Sequence, residues 1–203
     1  MSREGLTEDN LARDPFEQFR RWWDEAQAKS QMLEPTGMIL STVDPDGQPA
    51  SRVVLLKHWD NRGFVFYSNY RSRKARGLEA EPRASLLFWW DKLRRQIRID
   101  GEAKKLAARE SDAYFATRPR GSQIGAWASM QSQPLDSRET LARRVEELDA
   151  EFGDGPIPRP PHWGGFRLVP NEFEFWDDGA HRLHDRLVFR RDGSGWTIER
   201  LYP

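Results

Sequence analysis

The stretch Thr36-Gly37-Met38-Ile39-Leu40-Ser41-Thr42-Val43-Asp44-Pro45-Asp46-Gly47-Gln48-Pro49-Ala50-Ser51-Arg52-Val53-Val54-Leu55-Leu56-Lys57 decides the fold. Residues 36–43 alternate apolar and polar as a half-buried strand does, Asp44-Pro45-Asp46-Gly47 is a strong turn signal, and a second strand follows over residues 50–57. Asn61-Arg62-Gly63 turns the chain again into residues 64–69. Three antiparallel strands thus succeed one another through short loops.

On the N-terminal side, Asp14-Pro15-Phe16 opens an amphipathic helix to about residue 29, with Phe16, Phe19, Trp22, Trp23 and Ala26 recurring at three and four residues. Residues 1–13 are expected to form a flexible extension. On the C-terminal side, Ser72 is placed to cap a short helix over 73–81, and strands are expected at 84–89 and 96–102. Helices are expected over 107–117, 123–129 and 137–152, followed by a proline-rich loop to about Gly165. Four last strands are expected at 165–169, 172–176, 183–190 and 196–202. Short strands at close spacing with helices inserted late predict a single α+β domain, an antiparallel β-barrel with peripheral helices, and not a doubly wound sheet.

The 203 residues carry 32 Lys and Arg against 32 Asp and Glu, so no overall attraction to nucleic acid or to an anionic membrane is expected. The absence of cysteine removes disulfides and thiolate chemistry and accords with a reducing, cytoplasmic setting. No apolar run approaches the length of a membrane helix, and residues 1–9 have no signal-peptide core. Nine Trp and eleven Phe are a heavy aromatic load for a mean hydropathy of −0.83. They suit an aromatic core, with some left for an interface or a planar ligand.

Several clusters could carry chemistry. Arg52 and Lys57 flank the apolar run Val53, Val54, Leu55 and Leu56, and strand alternation would turn them to opposite faces, toward two anions. The plainer alternative is a buried strand with snorkelling ends. Tyr67 and Ser68 end a strand before a capped helix whose first turn holds Arg73 and Lys74, a place where backbone N–H groups and two cations favour a phosphate. Tyr114 and Arg118 share a helix face, with Ser122 just beyond Pro119. Gln96, Gln131 and Ser132 suit the edge of a polar heterocycle, and Trp176 could cover its face.

Arg182, His184 and Arg186 alternate with Leu183 and Asp185, so a strand there would present three cation-capable groups on one face. Full charges roughly 7 Å apart on a strand face repel by about 2 kcal/mol at an effective dielectric of ~20. A nearby anion would offset this, although a charged, solvated edge strand is the alternative. His181 and His184 would then face opposite ways, which argues against a metal site. Neither a Gly-rich phosphate loop, nor His-Glu-x-x-His, nor Gly-x-Ser-x-Gly occurs.

Taken in order, Arg52 to Lys57, Tyr67-Ser68, Arg73-Lys74, Gln96, Arg118-Pro119-Arg120-Gly121-Ser122-Gln123-Ile124-Gly125-Ala126-Trp127, Gln131-Ser132, Trp163-Gly164-Gly165-Phe166 and Glu174-Phe175-Trp176 through Arg182-Leu183-His184-Asp185-Arg186 resemble the pyridoxine/pyridoxamine 5'-phosphate oxidase family. The resemblance runs from about Asp14 to Pro203 and implies an FMN-binding split barrel working as a homodimer, with FMN between subunits. It implies that residues 52–57, Tyr67, Ser68, Arg73, Lys74, Gln96, Gln131, Ser132, Trp176 and Arg186 hold FMN. Lys57, Tyr114, Arg118 and Ser122 would hold the substrate phosphate. Arg182, Leu183 and His184 would meet the pyridine ring, with Arg182 and His184 nearest the chemistry. The implied reaction oxidises pyridoxine 5'-phosphate or pyridoxamine 5'-phosphate at C4' to pyridoxal 5'-phosphate, with O₂ reoxidising the flavin to give H₂O₂. Two other readings are a split-barrel flavoenzyme for an unphosphorylated planar substrate such as a phenazine precursor, and a non-catalytic FMN or pyridoxal phosphate carrier. The first would leave the four phosphate-binding groups unused, and the second would leave Arg182 and His184 without a task.

Overall fold

The computed structural model describes residues 5–28 and 32–203. Among the described residues, nine strands form one antiparallel sheet: β1 (Gly37–Val43), β2 (Pro49–Leu55), β3 (His58–Asp60), β4 (Gly63–Asn69), β5 (Arg83–Trp90), β6 (Arg95–Lys105), β7 (Trp163–Asp177), β8 (Asp185–Asp192) and β9 (Gly195–Arg200). Their order is β2-β1-β5-β6-β7-β4-β3, with β8 also paired to β7 and β9 to β8. The sheet curls until the chain just beyond β2 meets β4, where the Lys57 N–H donates to the Val65 carbonyl at 2.9 Å.

The barrel interior is aromatic. Phe64, Phe66, Phe88, Trp90, Phe173, Phe175 and Phe189 are all buried, and helix α1 (Pro15–Ala28) lays Phe16, Phe19 and Trp22 onto them. Phe19 meets Phe64 edge to face at 4.8 Å, a geometry that aromatic quadrupoles favour. Of residues 1–13, expected as a flexible extension, residues 1–4 lie outside the described residues, and residues 5–13 are packed against this core through Leu6 and Leu11. No helix among the described residues is long and apolar enough to cross a membrane.

Helix α2 (Arg73–Ala80) begins as expected at Ser72, whose hydroxyl accepts from the Ala75 N–H. Helices α3 (Ala108–Ala116), α4 (Arg120–Ala128) and α5 (Arg138–Phe152) gather round a second small core of Phe115, Ile124, Ile157 and Trp163.

Two strand expectations also change. The strands expected at 165–169 and 172–176 are one 15-residue strand, β7. Pro170 lies between the two expected strands, where β6 shifts register between Asp100 and Gly101 and where the other edge of β7 passes from β4 to β8, so its missing N–H costs no ladder bond. A side chain at Gly101 would strike the Val169 carbonyl, which explains the glycine at this bulge. The strand expected from 183 starts only at Asp185. His181 and Arg182 adopt φ of 55° and 65°, and a turn closed by the Leu183 N–H to the Ala180 carbonyl at 3.0 Å precedes β8. Arg182, His184 and Arg186 therefore do not share a strand face.

Candidate functional site

A cavity of about 460 Å³ opens between β2, β4, the start of α2 and helices α3 and α4. One wall is Val53, Val54, Leu55 and Lys57; β2 ends at Leu55, so Lys57 leaves the strand and reaches the cavity through the β2–β3 link. Strand parity, which separated Arg52 from Lys57, therefore does not govern Lys57. Leu56 packs into the barrel core and lines no part of the cavity.

Lys74 enters from the first turn of α2. Its Nζ donates to Ser68 Oγ at 3.1 Å, Ser72 Oγ at 3.3 Å and Gln131 Oε1 at 3.1 Å, all neutral acceptors. Burial, and then the charge of Arg52, push its ammonium down to about 8. Arg52 lies behind it, with Nη1 on the Leu40 carbonyl at 3.0 Å and on Thr42 Oγ1 at 2.8 Å. Arg73 turns the other way: its side chain pairs with Asp44 at 2.6 Å, and only its backbone N–H, donated to Ser132 Oγ at 3.1 Å, looks toward the 131–132 segment. Ser132 holds a left-handed φ of 70°.

Across the cavity, Tyr67, Tyr114 and Trp163 form a parallel stack, with Tyr67 and Tyr114 centroids 3.9 Å apart and Tyr67 and Trp163 centroids 5.3 Å apart. Burial is the main reason the Tyr67 phenol is pushed up to about 12, so it stays a neutral donor. A Cβ on Gly165 would lie 2.9 Å from the Tyr67 ring, so the glycine lets the stack approach β7. Arg118 stands over Trp163 at 4.5 Å, its charge disfavoured by burial, and its buried Nη1 has no hydrogen-bond partner. Ser122, Gly125 and Ser129, three and four residues apart, line the facing wall from α4 and its C-cap.

The remaining expected residues form a second group outside this cavity. Gln96 on β6 pairs in register with Trp89 and Trp176. The Trp176 ring lies 4.5 Å from that of His184. Arg186 donates to Glu174 Oε1 at 2.7 Å and to the Tyr202 carbonyl at 3.0 Å, and Arg182 is exposed. The charge expected to need an external anion is thus met in part by the chain's own carboxylates: Glu174 for Arg186, and Asp178, 3.1 Å from His184 Nδ1. On β7, Tyr67 pairs with Gly165 and Gln96 with Trp176, eleven positions on. An extended strand covers up to about 36 Å in that span, so the two groups sit at opposite ends of one strand.

Sequence reasoning did not assign Asn69, Gly125, Ala126 or Ser129 to the site, although all four line the cavity. The small residues at helical spacing on α4 were a usable signal. Asn69 carried none, since its side chain reaches the Ser129 carbonyl (3.2 Å) across 60 residues.

This curled sheet with its helices is an FMN-binding split barrel. Its structural neighbours include PhzG from Burkholderia lata in complex with tetrahydrophenazine-1-carboxylic acid, at a TM-score of 0.91 and 35% identity over the whole of both chains. A pyridoxamine 5'-phosphate oxidase-related, FMN binding protein from Nostoc punctiforme shares the fold at a TM-score of 0.75 and 16% identity, covering 95% of this chain and 100% of that one. Residues 24–151 match the sequence profile described as pyridoxamine 5'-phosphate oxidase, and residues 163–203 that of the pyridoxine 5'-phosphate oxidase C-terminal dimerisation region. Proteins named pyridoxine/pyridoxamine 5'-phosphate oxidase are 54% identical in Rubrobacter xylanophilus (100% of this chain, 93% of the relative) and 56% identical in Bordetella petrii (98% and 93%). The chain belongs to the pyridoxine/pyridoxamine 5'-phosphate oxidase family and is an enzyme of that family.

Proposed function

We propose that this chain oxidises pyridoxine 5'-phosphate and pyridoxamine 5'-phosphate to pyridoxal 5'-phosphate, with FMN as cofactor and O₂ as electron acceptor. The observation that carries the reading is that one cavity holds three cationic groups with no carboxylate partner among the described residues: Lys57, Lys74, bonded only to neutral oxygens, and Arg118, with an orphaned Nη1. Leaving such groups unpaired is costly, and two phosphates would satisfy them, one from FMN and one from the vitamin. Lys74, Ser68 and Gln131, supported by Arg52, suit the FMN phosphate and ribityl hydroxyls. Arg73 could join them by releasing Asp44. Lys57, Tyr114, Arg118 and Ser122 suit the substrate phosphate.

FMN, when bound, would take two electrons from the substrate and pass them to O₂, giving H₂O₂. The chain's part is to bind and orient. Phosphate anchoring fixes one end of the pyridine, and Arg182, Leu183 and His184 would meet the other, so that C4' is held in one place. Because the group at the far end of β7 lies outside the cavity, a homodimer in which that group of one protomer closes the cavity of its partner would complete the site. Val53, Trp89, Leu183 and Tyr202 are large apolar side chains more than half exposed in the single chain, as such an interface requires.

The test is to load the purified protein with FMN and add pyridoxine 5'-phosphate. Bleaching of the flavin band without air, and H₂O₂ with one equivalent of pyridoxal 5'-phosphate in air, are expected. A yellow protein that never bleaches would mark a carrier. Turnover of a reduced phenazine carboxylate in preference to the vitamin would transfer the reading to the chemistry that the PhzG complex suggests.

A further inference from the structure

Asp178 lies beside His184, and beyond meeting its charge it has been given no part in the site. Its Oδ1 lies 3.1 Å from His184 Nδ1, with side chains only 15% and 19% exposed. Its own N–H donates to the Arg94 carbonyl at 3.2 Å, and its carboxylate pairs with the Arg94 guanidinium. Arg94 belongs to the β5–β6 turn and holds a left-handed φ of 53°. The carboxylate is thus tied through backbone and side chain to one turn, and the imidazole is backed by the Trp176 ring at 4.5 Å.

A second neighbour competes for the same nitrogen. The Gly179 N–H donates to His184 Nδ1 at 3.2 Å, while the Asp178 carboxylate stands at ion-pair distance from the same nitrogen. A backbone N–H only donates and a carboxylate only accepts, so the two require opposite states of Nδ1. Bonding to Gly179 puts the ring proton on Nε2. Bonding to Asp178 puts it on Nδ1 and leaves Nε2 a bare acceptor. Charge-assisted bonds are about twice as strong as neutral ones, and Arg94, 72% exposed, shares its charge with solvent and leaves the carboxylate an effective acceptor.

We propose that Asp178 is a positioning residue for His184, drawing the imidazole proton to Nδ1 so that Nε2 presents a lone pair to a hydroxyl of the substrate pyridine. The proposal rests on the reading that His184 meets the substrate, and it deepens that reading by assigning the direction of the hydrogen bond. Should Nε2 take that hydroxyl's proton, the Nδ1–H stays on Asp178 and the ring does not turn.

The test uses the FMN-loaded protein labelled with ¹⁵N-histidine, with His184 assigned among the four histidines by its loss in His184→Gln. At a pH where the ring is neutral, the wild type is expected to carry its proton on Nδ1, and Asp178→Ala to carry it on Nε2. In turnover of pyridoxine 5'-phosphate, Asp178→Ala should lose kcat by roughly 10- to 100-fold with KM within about threefold. Asp178→Asn, whose amide oxygen still accepts from Nδ1 but without the carboxylate's charge, should recover part of that loss. A wild-type ring protonated on Nε2, or a loss seen in KM alone, overturns the assignment. If Asp178→Ala does not fold, the wild-type and Asp178→Asn spectra decide. A proton on Nδ1 in a protein that never oxidises the vitamin would uphold the pairing and reject the functional reading.

Discussion

Arg118 stands over Trp163, its guanidinium carbon 4.5 Å from the ring centroid, and Trp163 in turn lies parallel to Tyr114 at 6.2 Å. One indole therefore seats two of the groups assigned to the substrate phosphate. A partly buried cation–π contact is worth about 0.5–2 kcal/mol. Trp163→Leu should raise KM for pyridoxine 5'-phosphate about 2- to 30-fold with kcat nearly unchanged, because the anchor loosens while the reacting end is untouched. Steady-state kinetics on both substrates check this; a fall in kcat at constant KM would remove Trp163 from the phosphate anchor.

Much of this was legible in advance, and the division has a physical cause. Helix caps and hairpin turns are local: Ser72 capping α2 and Asp44 to Gly47 turning β1 into β2 are written in a few adjacent residues. The expectation that Arg182, His184 and Arg186 share a strand face failed because alternation in sequence does not report backbone handedness. No glycine marks the left-handed residues His181 and Arg182, and that conformation is set by the closure of the turn and the crowding of Gly179 against the Leu183 carbonyl. Arg73 is similar. The sequence places it at a helix N-terminus suited to phosphate, while its partner Asp44 is 29 residues away and becomes a neighbour only when the β1–β2 turn folds onto α2.

Lys74 should make cofactor binding depend on pH. Burial, seconded by Arg52, lowers its ammonium from 10.5 to about 8. Between about 8 and 10.5 the unfolded chain binds more protons than the folded one, so the FMN-free protein gains stability as pH rises through that window. A bound phosphate restores the charge, so FMN uptake should draw in protons above pH 8 and weaken as pH rises. Calorimetry in buffers of different ionisation enthalpy reads the proton count. Lys74→Met should abolish this uptake, reduce FMN affinity at least tenfold, and raise the melting temperature of the FMN-free protein by roughly 2–6 °C. Proton release on binding would contradict the assignment.

Glu174, 4% exposed, lies between two guanidinium groups, with Arg98 at 3.0 Å and Arg186 at 2.7 Å. Removing one partner of a buried ionic cluster typically costs about 3–5 kcal/mol, and the low end applies because Arg98 and Arg186 are 38% and 29% exposed. Glu174→Ala should therefore lose about 3 kcal/mol in urea unfolding, and Glu174→Gln less. FMN content should fall more in Glu174→Ala than in Glu174→Gln, since without an acceptor at 174 Arg186 keeps only the Tyr202 carbonyl. A loss below about 1 kcal/mol would make the cluster a solvated surface network.

Glu8 tests whether the segment ahead of α1 is fastened by charge as well as by Leu6 and Leu11. Arg200 bonds both Glu8 oxygens, at 2.8 and 2.9 Å, and its remaining amine reaches Asp185 at 2.7 Å, beside His184. That pairing is the main reason the Glu8 carboxyl is held down at about 2. A depressed carboxylate contributes above its unfolded value of 4.5, and the contribution fades as pH falls toward 2. Because Glu8 is 55% exposed, solvent screening keeps its global effect under about 1 kcal/mol. The local effect should be larger. Glu8→Gln at neutral pH should speed hydrogen exchange in residues 5–13 several-fold while α1 stays protected, and its small deficit in melting temperature should vanish as pH approaches 2. If exchange in the segment is unchanged, burial of Leu6 and Leu11 alone holds it, and Arg200 serves chiefly to brace Asp185 at the start of β8.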